Sequence, residues 1–187
     1  MFPWLRLMRI LLGTLGKPKV DLFASTRVRL RVWPNDLDFN LHVNNSRYLA
    51  LTDIARVHFF IRTGIWALTA KQRAFPVIAD MVAKFRRGLG VLEAVEIETR
   101  LLGWDERWAY LESRLLREGR VIGVVTIRGV FMGPNGPIDV GGLSRESGYC
   151  GGTPALPKWV HGFVEGCDSL SGLIHEEEQQ YESTRKS

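Results

Sequence analysis

Between Ser46 and Arg62 the chain reads S-R-Y-L-A-L-T-D-I-A-R-V-H-F-F-I-R, seventeen residues without glycine or proline. Wound into a helix, this run places apolar side chains on nearly every side: Tyr48, Leu49, Leu51, Ile54, Ala55, Val57, Phe59, Phe60 and Ile61. A helix that is apolar all round has to be enclosed by other structure. Its charged residues Asp53 and Arg56 lie three apart, close enough to pair. Asn44 or Asn45 suits the N-cap, and Gly64 suits the end. Whatever the remaining chain forms must therefore wrap around this helix.

The flanking segments change to a period of two. Residues 24–33, A-S-T-R-V-R-L-R-V-W, alternate Arg with Val and Leu, the pattern of a strand with one buried face, and Pro34 ends it by removing a ladder donor. Beyond the helix, strands are predicted over 75–87, 92–102, 108–117 and 121–132, with turns at Gly103–Glu106 and Glu118–Gly119. Consecutive strands joined by such short turns form an antiparallel meander. Gly123 and Gly129 fall on one face of the last strand and predict close packing there, with the buried helix as the candidate neighbour. The predicted class is α+β: one curved antiparallel sheet wrapped around one long helix.

The two ends differ from this body. Residues 1–31 hold seven basic side chains against the single acid Asp21, which more than accounts for the net charge of +5. The body is near neutral, which argues against a nucleic-acid partner. Residues 1–19 form a basic, apolar segment too interrupted by Arg6 and Arg9 to span a bilayer. Those two arginines, one turn apart, are expected on one face. Two readings of residues 1–16 compete: an interfacial helix in peripheral contact with a membrane, or a terminal helix packed on this protein's body or on a partner subunit. Residues 20–133 are read as the main domain. Residues 134–175 are a Gly/Pro-rich extension with a short helix near 156–164, and residues 176–187 are expected to be disordered. Cys150 and Cys167 lack metal-ligand spacing, so neither a metal nor a cofactor is expected. The expected setting is the reduced cytoplasm, with the inner membrane surface as the candidate contact.

Between the first strand and the helix lies P-N-D-L-D-F-N-L-H-V-N-N-S-R-Y, residues 34–48. Asp and Asn serve turns and caps, and Asp36 is read as a turn former. The D-x-N-x-H set of Asp38, Asn40 and His42 is different, because an extended run would send all three side chains to one side. A carboxylate, an amide and an imidazole would then face the unpaired N–H groups of a helix start. Such a site can polarise a thioester carbonyl, hold the developing oxyanion and activate water through the carboxylate.

The stretch D-L-D-F-N-L-H-V-N-N-S-R-Y-L-A-L-T-D-I-A-R resembles the signature of hotdog-fold acyl thioesterases. These include the plant acyl-ACP thioesterases and the 4-hydroxybenzoyl-CoA thioesterase-like branch. K-F-R-R (84–87) and E-I-E-T-R-L-L-G-W-D-E-R (96–107) extend the resemblance, most of all to the thioesterase superfamily member six group. It implies a hotdog fold, an acyl-CoA or acyl-ACP substrate, and a homodimer or a tetramer of dimers. It implies Asp38 as base or nucleophile, with Asn40 and His42 beside it, and Asn44, Asn45, Tyr48 and Asp53 as substrate-binding candidates. The plant enzymes carry a further acid after their Y-R-R-like segment, where this chain has Gly88. Asp53 is a candidate replacement for that acid. A non-catalytic acyl-binding or membrane-associated scaffold on the same fold is the competing reading, and a hotdog dehydratase, for which His58 is the only histidine on the long helix, is a third.

Overall fold

The structure, a computed structural model, describes residues 3–186. One compact unit ends at Pro154, and a second begins at Ala155. The first unit opens with helix α1 (Trp4–Thr14), strand β1 (Thr26–Arg31) and a 3-10 turn (Pro34–Asp36). The long helix α2 (Asn45–Thr63) and the short α3 (Ile65–Lys71) follow. Strands β2 (Phe75–Phe85), β3 (Ala94–Trp104), β4 (Ala109–Arg117) and β5 (Arg120–Gly133) come next, then β6 (Gly136–Pro137) and α4 (Val140–Glu146).

The predicted helix forms as α2. The Asn44 side chain accepts the Ser46 N–H at 2.9 Å as its N-cap, and Gly64 ends it in the left-handed region at φ 81°. Leu51, Ala55 and Phe59 of α2 share one buried core cluster with Val95, Ile97, Leu111, Leu115, Val125 and Ile127 of the sheet. Each large apolar side chain removed from water in this way contributes about 1.5–3 kcal/mol. That contribution offsets the entropy of ordering a nineteen-residue helix.

The antiparallel sheet has the order β1-β3-β4-β5-β2, with the two-residue β6 paired to the last two residues of β5, so β1 and β2 are its edges. Strands β3 to β5 form the predicted meander. Their tight turn places Glu118 at φ 51° and Gly119 at φ 76°, the doubly positive pair that suits a two-residue hairpin. On the solvent face, Arg27 pairs with Glu96 and Glu98, and Glu112 is shared by Arg100 and Arg114.

The glycine expectation needs correction. A Cβ at Gly129 would lie 2.9 Å from the Val77 carbonyl oxygen, and one at Gly123 would lie 3.2 Å from that of Lys84. It is the neighbouring edge strand β2, with its bulge between Ile78 and Asp80, that approaches these glycines, not α2.

Helix α1 lies on α2 and on the turn after β1. Arg6 and Arg9 both border one groove beside β1, as expected of residues one turn apart, but only Arg6 is buried; Arg9 is exposed. The self-packing reading of this segment holds for the Arg6 side, where burial is compensated by a carboxylate.

The second unit is one helix, α5 (Lys158–Lys186). It replaces both the short helix near 156–164 and the disordered tail expected from composition. No proline follows Pro157, and Glu176–Gln180 is a run of good helix formers. A polar composition does not distinguish a solvated helix from a disordered tail.

Candidate active site

The loop from β1 to α2 is built on Asp36. Its carboxylate is buried, accepts Arg6 Nη1 at 3.0 Å and Nη2 at 2.5 Å, and accepts the Trp33 N–H at 2.8 Å. Burial alone would push this carboxyl up, but Arg6, the Trp33 N–H and Arg47 outweigh it and hold it below the ordinary Asp value. The Asp36 carbonyl also accepts the Asn44 N–H at 2.9 Å, tying this turn to the start of α2. The Arg6 guanidinium stacks over Trp33 at 4.9 Å.

From this anchor the chain makes a closed turn. Leu37 and Val43 bridge as an antiparallel pair. Inside them, the Asp38 N–H donates to His42 O at 2.8 Å and the Leu41 N–H to Asp38 O at 3.1 Å. Leu41 sits at φ 60°. The expectation of an extended D-x-N-x-H run is therefore overturned: Asp38, Asn40 and His42 occupy a tight turn, where alternation of faces does not apply. Asp38 itself shapes that turn, accepting the Asn40 N–H on Oδ1 at 2.8 Å. Among the described residues, no hydrogen bond joins the side chains of Asp38, Asn40 and His42 to one another. Asp38 is half-buried, while Asn40 and His42 are exposed.

Across the turn stands the segment after β2. The Val43 N–H donates to Leu89 O at 2.9 Å, and the Leu89 N–H donates to the Tyr48 hydroxyl at 3.0 Å. Tyr48 is buried and stacks on Phe85 at 4.9 Å between centroids. Burial pushes its hydroxyl above the ordinary Tyr value, so it remains protonated at neutral pH. The place of the missing acid is occupied by the imidazole: a Cβ at Gly88 would fall 2.8 Å from His42 Cδ2.

Sequence reading missed the acid that does stand near. Glu93 accepts the Gly90 N–H at 2.8 Å and both carboxylate oxygens contact Arg117, which also donates to Gly88 O at 3.4 Å. The Gly90 N–H, then Arg117 and the electrostatic influence of His42, hold Glu93 below its ordinary value. The only sequence signal for this is the Gly90-x-x-Glu93 turn, which reads as a simple loop.

At the start of α2, Ser46 N–H is taken by Asn44 Oδ1 and Arg47 N–H by Asn44 O. The Asn45 N–H is left without a hydrogen-bond partner among the described residues. Asp38, Asn40 and His42 thus lie in the turn that leads into α2, and Asn44, Asn45 and Tyr48 in its cap and first turn. The fold does not bring Asp53 there. Asp53 lies about 12 Å along the helix axis from Asn45, paired with Arg56, which also donates to Thr52 Oγ1 at 3.1 Å. Asp53 and Arg56 line a cavity of about 240 Å³ between α2 and the β2 edge, with Val57, Phe60, Val77 and Phe131 as apolar walls.

Protein THEM6 of Xenopus laevis is 42% identical to this chain over 85 residues, 46% of this chain and 41% of that protein. Protein THEM6 of Danio rerio is 36% identical over 99 residues, 53% and 49% of the two chains. The chain spans about half the length of the curated relatives it matches. The 4-hydroxybenzoyl CoA thioesterase from Pseudomonas sp. strain CBS-3 superposes with a TM-score of 0.59 at 18% identity, over 66% of this chain and 98% of that one. YbaW Probable Thioesterase from Escherichia coli gives 0.60 at 21% identity, over 65% and 94%. At such identities the likeness shows the fold, which is the hotdog arrangement. Residues 32–160 match the thioesterase-like superfamily, and with more than half of its length in that match the chain belongs to this superfamily.

Proposed function

We propose that this protein is a thioester hydrolase acting on acyl-CoA or on acyl carried by acyl carrier protein. The observation that supports the reading is a half-buried carboxylate, Asp38, in the turn that leads directly into a helix whose Asn45 N–H has no hydrogen-bond partner among the described residues. That N–H and the partial positive charge of the helix start polarise the thioester carbonyl and hold the oxyanion. Asp38 then takes a proton from water as the water attacks the carbonyl carbon; the C–S bond breaks as the intermediate collapses, and the departing sulfur takes that proton back from Asp38 to leave as the thiol, regenerating the carboxylate. In the nucleophilic variant, Asp38 attacks the carbonyl itself, and water hydrolyses the resulting anhydride. Asn40 and His42 orient water and carbonyl from the same turn.

The acyl group is assigned to the apolar cavity along α2, with Asp53 and Arg56 lining it. The assembly is assigned as a homodimer through β2, an eleven-residue edge strand exposing Phe75, Val77, Ile78 and Val82. A long, apolar, unpaired edge calls for a second strand. In fatty-acyl metabolism such an enzyme releases free acid and thiol. Release of free thiol from a panel of acyl-CoA and acyl-ACP substrates tests the reading. One observation favours the non-catalytic alternative: Asp38 already spends one oxygen on the Asn40 N–H. Acyl-CoA binding without turnover at any chain length would establish that alternative instead.

A further inference from the structure

Helix α1 turns an apolar side outward, where a surface helix usually turns a polar one. The side it turns to the body carries Arg6, Ile10 and Thr14, with Arg6 and Thr14 buried. The side it turns outward carries Trp4, Leu5, Met8, Leu12 and the C-capping Leu15, which are 58–74% exposed. At 3.6 residues per turn these five fall in an arc of about 100°. An apolar arc of this size on a helix surface marks a contact with something outside the chain.

The ground beside the arc is basic. A groove of about 240 Å³ runs between α1 and the edge strand β1, lined by Arg9, Arg29 and Arg31 together with Ile10, Leu30 and the exposed Trp33. Among the described residues, none of these three arginines has an ion-pair partner, whereas their neighbour Arg27 is neutralised by Glu96 and Glu98. Exposed Lys17 and Lys19 continue the positive charge beyond the helix.

We propose that α1 and this groove form a docking surface for an anionic phospholipid bilayer. The apolar arc enters the acyl boundary, and Arg9, Arg29 and Arg31 receive the phosphates of the headgroups. Indole rings at Trp4 and Trp33 suit the interface between the two. A second copy of the chain fits less well, because a two-fold contact through this face would set one arginine cluster against the other. The proposal is independent of thioester hydrolysis. It adds one relation to the site: Arg6 fixes the docking helix to Asp36, two residues from Asp38, so the lipid-facing arc and the site loop share one anchor.

Cosedimentation of the full chain with phosphatidylcholine vesicles containing or lacking phosphatidylserine tests this. The expected result is at least about tenfold stronger partition onto the phosphatidylserine vesicles, falling with added salt. Arg29→Glu with Arg31→Glu should remove that preference, and Met8→Glu with Leu12→Glu should remove partition onto both. All four positions are exposed, so the variants should fold, which circular dichroism checks. Wild-type protein that stays in the supernatant with phosphatidylserine vesicles at low salt would overturn the proposal. So would a Met8→Glu, Leu12→Glu variant that partitions like the wild type. If the same variant instead lowers the mass of the lipid-free protein in sedimentation velocity, the face joins two copies and the bilayer assignment is wrong.

Discussion

Arg6 of the amino-terminal helix grips both carboxylate oxygens of Asp36, at 3.0 and 2.5 Å, in a site where both side chains are almost fully buried. A residue near the start of the chain thereby fixes the turn that carries Asp38. Removing one member of a buried pair leaves the other charged and without its counter-ion, which costs about 3–5 kcal/mol. Arg6→Met should therefore lower the unfolding free energy by about that amount, read by urea denaturation. Thiol release should fall with it even where the variant remains folded.

His58 makes a separate prediction about acid. It is buried on α2 with Nδ1 unpartnered; burial first, then Arg62 and Lys17, push its pKa down to about 4. The folded chain keeps it neutral while the unfolded chain protonates it below about 6.5. Stability should therefore be unaffected by His58 above that pH and decline as pH falls from about 6.5 toward 4, by up to about 1.4 kcal/mol per unit. His58→Leu should flatten that part of the pH–stability curve. The depressed carboxylates Asp36, Glu93 and Asp105 should leave their own loss at lower pH in place.

Gly88 tests whether the missing acid can be restored. A side chain there meets the His42 ring at 2.8 Å, so even Gly88→Ala has to displace the imidazole. His42 is exposed, so stability should change little, while turnover should fall. Gly88→Asp should lose activity as well. A gain in kcat for Gly88→Asp would show that the site has room for the plant-type acid.

The exposed edge strand predicts the assembly. Ile78→Lys with Val82→Lys places charges on the β2 edge without entering the core. Sedimentation velocity should show a dimer for the wild type and a monomer for this variant. A wild-type monomer would contradict the dimer assignment.

Much of this was legible in the sequence because periodicity reports burial. The α2 run had to be enclosed, and the alternation of Val95, Ile97, Thr99 and Leu101 marked a strand with one buried face. What escaped the sequence depended on backbone paths that carry no period. The closed turn around Asp38 rests on the Leu37–Val43 bridge and a positive φ at Leu41, and neither has a residue signature. Gly129 was recognised as a point of close approach, but its neighbour proved to be the bulged β2. Arg6 looked like a surface cation because its partner is thirty residues away. Glu93 reaches the vicinity of His42 only through the fold.

Asp38 carries the central claim, and Asp38→Asn tests it most directly because it keeps an oxygen for the Asn40 N–H while removing the charge. With the acyl-CoA that the wild type cleaves best, the account predicts wild-type binding and stability with a loss of thiol release of at least about a hundredfold. Thiol release by Asp38→Asn at the wild-type rate would contradict it.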